Sequence, residues 1–214
     1  MAFLHNPFDS SVKESHMSDI TRLIIVAVGG QGNLLASSVL GEAALLAGIP
    51  LRMSEIHGMA QRGGVVESAL VFGNAQSTII SDGEADVLLG FEPSETLRAL
   101  NKCNARTVVI TNLSPLPPFT VAIGKGVYPD IGELQQIIRE KTARLIAMNA
   151  VDLAKTAGNV LSVNMVLLGA LIQTGILPVT ADHVITAIRT KTKAAFVDIN
   201  TRAFDLGVEA ALRQ

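Results

Sequence analysis

One cysteine, Cys103, is all that the 214 residues contain. No disulfide can close within the chain, and a thiolate zinc or iron–sulfur centre lacks its ligands. Tryptophan is absent, tyrosine occurs once, and aromatic residues make up 4%. A core must therefore come from Val, Ile, Leu, Ala and Met. Charge is scarce too. Asp, Glu, Lys and Arg together reach 17% of the chain, where about a quarter is usual. A formal net charge of −2 gives no electrostatic case for a nucleic-acid partner. No apolar signal sequence opens the chain, so a cytoplasmic location is expected. A long unbroken apolar run is missing as well. The stretch from Thr156 to Ala181 carries no charge, but Asn159, Ser162, Asn164, Gln173, Thr174, Gly175 and Pro178 interrupt it. A buried helix ending near Gly175–Pro178 is expected there, not a membrane span.

What the chain does have is aliphatic bulk: the apolar residues amount to 49%. Combined with so little charge, this predicts apolar surface covered by a partner chain. The length suits one domain. Residues 1–16, MAFLHNPFDSSVKESH, show no period, and Ser15-His16-Met17 resembles the scar of an expression tag. They are expected to be a tag or disordered tail, with residues 17–214 forming a single α/β domain.

Short aliphatic runs bounded by glycine, proline or asparagine recur along the chain. RLIIVAV at 22–28, LRMSEI at 51–56, VVESALVF at 65–72, ADVLLGF at 85–91, RTVVITN at 106–112 and ARLIAMNA at 143–150 read as strands. Helical spacing follows the first run, with Leu34, Leu35, Val39, Ala43 and Leu46 on one face and Gly48 as a stop. Pro93 opens a helix expected to reach about Lys102, and Ile131 to Lys141 is amphipathic. LSPLPPFT at 113–120 is a surface excursion, because three prolines prevent regular structure. Helical patterns begin at Asp152–Thr156 and recur near 160–174, 180–190 and 194–211. The expectation is a three-layer, Rossmann-like α/β sheet, at least partly parallel, with a mostly helical C-terminal third.

Two glycine-rich segments carry the candidate chemistry. The first is Gly29-Gly30-Gln31-Gly32, between a strand and a helix. Glycine lets the chain turn sharply and lets a ligand approach, and the helix N-terminus offers unpaired N–H groups to an anion. Against the dinucleotide fingerprint G-x-G-x-x-G, Gly30 and Gly32 match but the third position is Leu35. Glu55 lies where a ribose-binding acid would be sought. Tight helix packing, anion or nucleotide binding, and contact with a partner all remain open for this loop. The second segment is SEIHGMAQRGG at 54–64. His57 and Arg62, separated by glycine, are expected in a loop, where Arg62 could clamp a carboxylate or phosphate and His57 could move a proton. A loop held by its own bonds, Glu55 to Arg62 and His57 to a carbonyl, is the competing reading.

Other polar residues weigh less. His183 in ADHVITAIRTK reads as surface or capping, and Cys103, at an expected helix end, as buried filler. Asp82, Glu84 and Asp86 read as a solvated turn, and Tyr128 as a loop edge. A buried Asn164 needs partners, so it is expected to cap a neighbouring loop or pair across an interface.

The pairing of VAVGGQGNLLASSVLGEAALLAG with SEIHGMAQRGGVVESALVFG resembles the gamma-type subunit or domain of the 2-oxoacid:ferredoxin oxidoreductases, nearest to the beta subunits of the indolepyruvate-specific branch. The resemblance continues through ADVLLGFEPSETLRAL and NMVLLGAL, and more loosely through AFVDINTRAFDLG. It implies one subunit of a heteromeric enzyme that cleaves a 2-oxo acid, indolepyruvate or another aryl pyruvate, and passes electrons to ferredoxin. Thiamine diphosphate, Mg, iron–sulfur clusters and coenzyme A are implied on a thiamine- and cluster-bearing alpha-type partner. No catalytic residue and no metal ligand are implied on this chain. Gly29, Gly30, Gln31 and Gly32 would lie at a helix N-terminus near the interface. Glu55, His57, Gly58, Met59, Gln61, Arg62 and Gly63 would face the partner or edge its cleft. In isolation the chain could form a homodimer.

Overall fold

The computed structural model describes residues 20–58, 64–117, 121 and 123–214. The expected tail at 1–16 and the residues Met59, Gln61, Arg62 and Gly63 lie outside them.

Six strands form one sheet in the order β2-β3-β1-β4-β5-β6. They are β1 (Thr21–Val28), β2 (Leu51–His57), β3 (Val65–Phe72), β4 (Ala85–Gly90), β5 (Cys103–Asn112) and β6 (Arg144–Met148). β1, β4, β5 and β6 are mutually parallel, while β3 runs antiparallel between β1 and β2. The parallel strands are nearly continuous in Val, Ile, Leu and Ala, as strands covered on both faces must be. Leu23 to Ala27 is buried along its whole length.

Seven α-helices are present among the described residues: α1 (Asn33–Leu46), α2 (Pro93–Arg98), α3 (Ile131–Lys141), α4 (Ala150–Ala157), α5 (Val163–Gln173), α6 (Ala181–Lys191) and α7 (Val197–Leu212). Strand residues alternate between two cores, as the two-residue pleat requires. Leu23, Ile25, Leu70, Phe72, Val87 and Leu89 meet α1 and α4 to α7 on one face. Ile24, Val26, Val71, Leu88 and Val109 meet α2 and α3 on the other. The three-layer arrangement expected from the sequence is therefore present.

The helical C-terminal third covers the sheet, and two glycines set its packing. A Cβ on Gly169 of α5 would stand 1.9 Å from the Phe204 carbonyl oxygen of α7. One on Gly207 of α7 would stand 1.9 Å from the Val166 oxygen. The two backbones touch there, which only glycine permits. The uncharged stretch is a buried helix, α5, whose residues from Val163 to Leu171 are all inside the protein.

Several boundaries differ from the sequence reading. β2 extends through His57, which pairs with Val66, so His57 belongs to a strand and not to the loop after it. Gly58 N–H also bonds Val65 O at 2.8 Å, continuing the hairpin by one step. The helix at Pro93 ends at Arg98 and tightens into a single 3-10 turn over Ala99–Lys102. Cys103 opens β5 instead of closing a helix, because Ala85 pairs with it before a bulge shifts the register. It is buried as expected, and desolvation pushes its thiol up to about 11. The α4 helix begins at Ala150, where the Asn149 side chain caps it.

Candidate functional site

The C-terminal ends of β1, β4, β5 and β6 share one rim, and there the sequence places its turns and its buried polar groups. In open α/β sheets this rim, next to the strand where the connections change face, is where ligands bind. Here α1 leaves β1 toward one face and α2 leaves β4 toward the other, so the crevice falls between β1 and β4.

The first glycine segment turns through Gly30 at φ +99° and Gly32 at φ +86°. Both values are left-handed, and glycine adopts them without strain. Gly32 is the N-cap of α1 and supplies no side chain to the helix's first N–H groups. No acidic residue stands in the first turn either. The helix therefore opens with donors not satisfied by a capping side chain. Gln31 turns inward. Its Oε1 accepts from Val28 N–H at 2.8 Å, and its Nε2 donates to Phe91 O at 3.3 Å, tying the loop to the ends of β1 and β4. Gln31 thus holds the loop's shape, and its side chain is not free to meet a ligand. Asn164 of α5 supports the loop from below, with Nδ2 donating to Gly32 O at 3.3 Å and Oδ1 accepting from Met165 N–H. This is the capping role expected of it.

The second segment meets the first directly. Gly29 N–H donates to Gly64 O at 2.8 Å. Gly29 and Gly64, one from each glycine-rich segment, are thus joined at one rim. Glu55 does not reach toward the α1 N-terminus as a ribose-binding acid would. It lies on β2, with β3 interposed between β2 and β1. Its Oε1 accepts from Ser68 Oγ at 3.4 Å, and its Oε2 is 3.6 Å from His57 Nε2. Ser68 in turn accepts from Asn33 Nδ2 at 2.9 Å. A polar thread, Asn33–Ser68–Glu55–His57, therefore runs from the first turn of α1 across β3 to the hairpin.

Beside the first glycine turn is an open cavity of about 340 Å³, mostly apolar. Gly30, Gln31, Asn112, Ser114, Leu116 and Leu161 are among the residues that line it.

The sequence reading missed two residues of this rim, Glu92 and Asn112. Glu92 is only 1% exposed. It accepts from Glu95 N–H at 3.0 Å, from Leu116 N–H at 3.2 Å and from the Tyr128 hydroxyl. Three donors satisfy a carboxyl group whose burial would otherwise be costly. Burial, reinforced by the Glu92 carboxylate, pushes the Tyr128 hydroxyl above the ordinary phenol range. Asn112 donates to the carbonyls of Phe91 and Ser114 and accepts from Ser114 and Ala150 N–H. It pins three rim segments together. The signal was available in part: a carboxylate directly before an N1 proline, as in Phe91-Glu92-Pro93-Ser94-Glu95, is placed to cap the helix that follows.

Residues expected to lie apart from the site do so. Thr180 and His183 form a reciprocal capping box at the start of α6. Asp82 bonds Asn101 and Lys102, Glu84 accepts from Ser81 N–H, and Asp86 accepts from Arg22 N–H. The three carboxylates serve three separate contacts. Among the described residues, no helix is long and apolar enough to cross a membrane.

An α/β sheet with a glycine-turned helix N-terminus at its switch point defines a broad structural class, and comparison narrows it. Residues 22–210 match the model of the pyruvate ferredoxin/flavodoxin oxidoreductase family, and the chain belongs to that family. The indolepyruvate oxidoreductase subunit IorB of Pyrococcus horikoshii is 44% identical over 191 residues, covering 88% of this chain and 95% of the relative. The subunit of the same name from Methanothermobacter thermautotrophicus is 41% identical over 189 residues, covering 88% and 96%. Among solved structures, the fold is similar to the keto/oxoacid ferredoxin oxidoreductase gamma subunit of Geobacter sulfurreducens. That match has a TM-score of 0.66 at 24% identity and covers 91% of this chain and 99% of the other. It is also similar to part of the 2-oxoglutarate:ferredoxin oxidoreductase of Magnetococcus marinus, with a TM-score of 0.70 at 19% identity, covering 91% of this chain and 31% of that one.

Proposed function

We propose that this chain is the accessory, beta-type subunit of a thiamine-diphosphate-dependent indolepyruvate (or other aryl pyruvate):ferredoxin oxidoreductase. Its work is assembly with a thiamine- and cluster-bearing subunit and the shaping of one edge of that subunit's cleft. The observation that carries the reading is the 2.8 Å bond from Gly29 N–H to Gly64 O. It brings both glycine segments to the switch-point rim, next to an apolar cavity and exposed Leu116, Val160 and Leu161. That is a surface suited to another polypeptide. The relatives' names supply the reaction, and the single buried cysteine agrees with clusters borne elsewhere in the complex. Residues 17–214 act in this reading as one α/β domain.

Within it, the first turn of α1 is open to an anionic group of the partner's cofactor or of coenzyme A, with Gly29, Gly30 and Gly32 giving backbone access. Glu55, His57, Gly58, Met59, Gln61, Arg62 and Gly63 are the residues that face the partner in this reading. The other reading, a self-contained dinucleotide-binding protein, is not favoured. Its third fingerprint glycine is Leu35 and its candidate ribose acid, Glu55, is displaced by one strand.

The test is reconstitution. The chain alone should show no aryl-pyruvate-dependent dye reduction, and co-expression with the thiamine-binding subunit should give one stable, active particle. Full activity from the isolated chain would overturn the division of labour, as would micromolar NAD or FAD binding by it.

A further inference from the structure

β2 is an edge strand, and its outer side pairs with no other strand among the described residues. Edge strands in native proteins are usually blunted by charges, proline, a bulge or an overlying element. β2 carries two charged residues, Arg52 and Glu55, but no proline or bulge, and no described strand lies beyond it. Its seven residues, LRMSEIH, contain no proline or lysine, and its pairing with β3 runs unbroken from Leu51↔Phe72 to His57↔Val66.

The hydrogen bonds at the two ends of the hairpin fix which backbone groups point outward. Gly58 N–H bonds Val65 O and Gly73 N–H bonds Pro50 O, both at 2.8 Å. Counting inward by twos, the residues that bond β3 are Arg52, Ser54 and Ile56. The N–H and C=O groups of Leu51, Met53, Glu55 and His57 therefore face away from the sheet.

The side chains alternate between the two faces of the sheet. Met53 and Glu55 lie toward α1, so Arg52, Ser54 and Ile56 lie on the opposite face, where Ile56 is 66% exposed. Across β3, in register with Ile56, stands Glu67.

We infer that β2 pairs antiparallel with β2 of a second copy of this chain, about a twofold axis at Ser54. Three features favour this occupant. First, the register aligns all seven residues, and it sets the outward-facing groups of Leu51, Met53, Glu55 and His57 against those of His57, Glu55, Met53 and Leu51 of the copy. Every free donor then meets a free acceptor. Second, it sets Arg52 of one copy opposite Ile56 of the other. Arg52 Nε donates to Ala75 O of its own chain, and in the pair its exposed side chain would stand beside Ile56 of the copy, with Glu67 one strand spacing further on, about 10 Å from the Arg52 backbone. By symmetry this cation–apolar–anion row occurs twice. Third, shifting the axis to Glu55 would set two carboxylates directly opposite, which is unfavourable. Two six-stranded sheets would join as one. The join uses the backbone of His57 but not Gly29 to Gly32 or the Gly29–Gly64 bond, so this inference does not rest on the proposed function.

The test uses the full chain in sedimentation velocity over a range of concentrations. The expected result is a dimer, with residues 51–57 slow in hydrogen exchange. Met53→Pro removes an outward N–H and spares the β3 ladder, so it should yield a monomer with unchanged circular dichroism. Arg52→Glu and Glu67→Arg should each weaken dimerisation at least about tenfold through like-charge contact. The double variant, which restores both pairs, should recover it. A chain that stays monomeric at every concentration overturns the inference. So does a dimer indifferent to Met53→Pro and to the charge reversals. Protection of 51–57 only in the complex with the thiamine-binding subunit would assign this edge to that subunit and overturn self-pairing.

Discussion

The helical C-terminal third and the switch-point rim solve opposite problems. Where α5 meets α7, the contact is apolar and the backbones touch, with Gly169 against Phe204 O and Gly207 against Val166 O. At the rim, the chain turns through glycines, and polar side chains hold the turns: half-buried Gln31 and buried Glu92, Asn112 and Asn164. Shape complementarity fixes the first region and directed hydrogen bonds fix the second. Packing that close tolerates no added atom, whereas a hydrogen-bonded turn can lose one strut and keep its path. The two should therefore fail differently when altered.

The largest effect is expected from the helix pair. Gly169→Ala places a methyl group against three backbone atoms of α7, the closest at 1.9 Å, and no rotamer can relieve it. α5 and α7 must separate, and the loss of stability should exceed about 3 kcal/mol in chemical denaturation. Gly132→Ala in α3 is the control. There the new Cβ meets only the Asp130 Oδ1 at 3.0 Å, the cap acceptor for Glu133 N–H, which needs to shift by only a few tenths of an ångström. The gain in helix propensity and the loosened cap oppose each other, so stability should change by less than about 1 kcal/mol. Equal effects at the two sites would show that the α5–α7 contact is not the tight element described.

A smaller effect is expected at the rim. Asn164→Ala removes the bond to Gly32 O and the bond from Met165 N–H, and it leaves the Gly32 carbonyl less satisfied near the protein interior. The loss should be about 1–3 kcal/mol. The readout specific to this region is backbone exchange. The amides of Gly30, Gln31 and Asn33 should exchange faster, while those of α5 away from residue 164 stay protected. Loosening spread through α5 and α7 would mean that Asn164 supports the helix pair and not the loop.

These two regions were unequally legible in the sequence. The strands and helices were visible because aliphatic runs of strand length alternate with 3.6-residue patterns, and this chain has few aromatic or polar residues to blur them. Within the last third, helices near 160–174, 180–190 and 194–211 correspond to α5, α6 and α7. What periodicity does not carry is which residues touch across elements. That Gly169 and Gly207 each face a carbonyl could not be read from either helix alone. At the rim, GGQG and HGMAQRGG stood out by composition, but Gln31 was read as part of a binding loop, and only the geometry shows it bonded to Val28 and Phe91. Glu92 carries no local signal for its partners, because Leu116 and Tyr128 lie 24 and 36 residues away. The glycine directly after His57 favours a loop there on sequence alone. The β3 ladder, a tertiary pairing, holds it in the strand.

The smallest effect concerns a carboxyl one helical turn from Glu92, and it asks whether the polar order of the rim extends into α2. Glu95 is buried, and its Oε2 makes no hydrogen bond, with only the Arg98 Nε at 3.6 Å. Burial raises its pKa above the ordinary 4.5, Arg98 opposes the rise, and nearby Glu92 adds to it. A carboxyl with a raised folded-state pKa holds its proton longer in the native than in the unfolded chain. Its contribution to stability is therefore present below pH 4.5 and is lost as pH rises through the folded-state value. Glu95→Gln keeps the shape, removes the charge and should flatten that part of the profile. The measurable difference is modest, because Arg98 already offsets some of the desolvation. Urea denaturation of both proteins from below pH 4.5 to neutrality checks it. If the two curves run parallel, Glu95 is as well solvated as any surface carboxylate, and the ordered polar layer stops at Glu92.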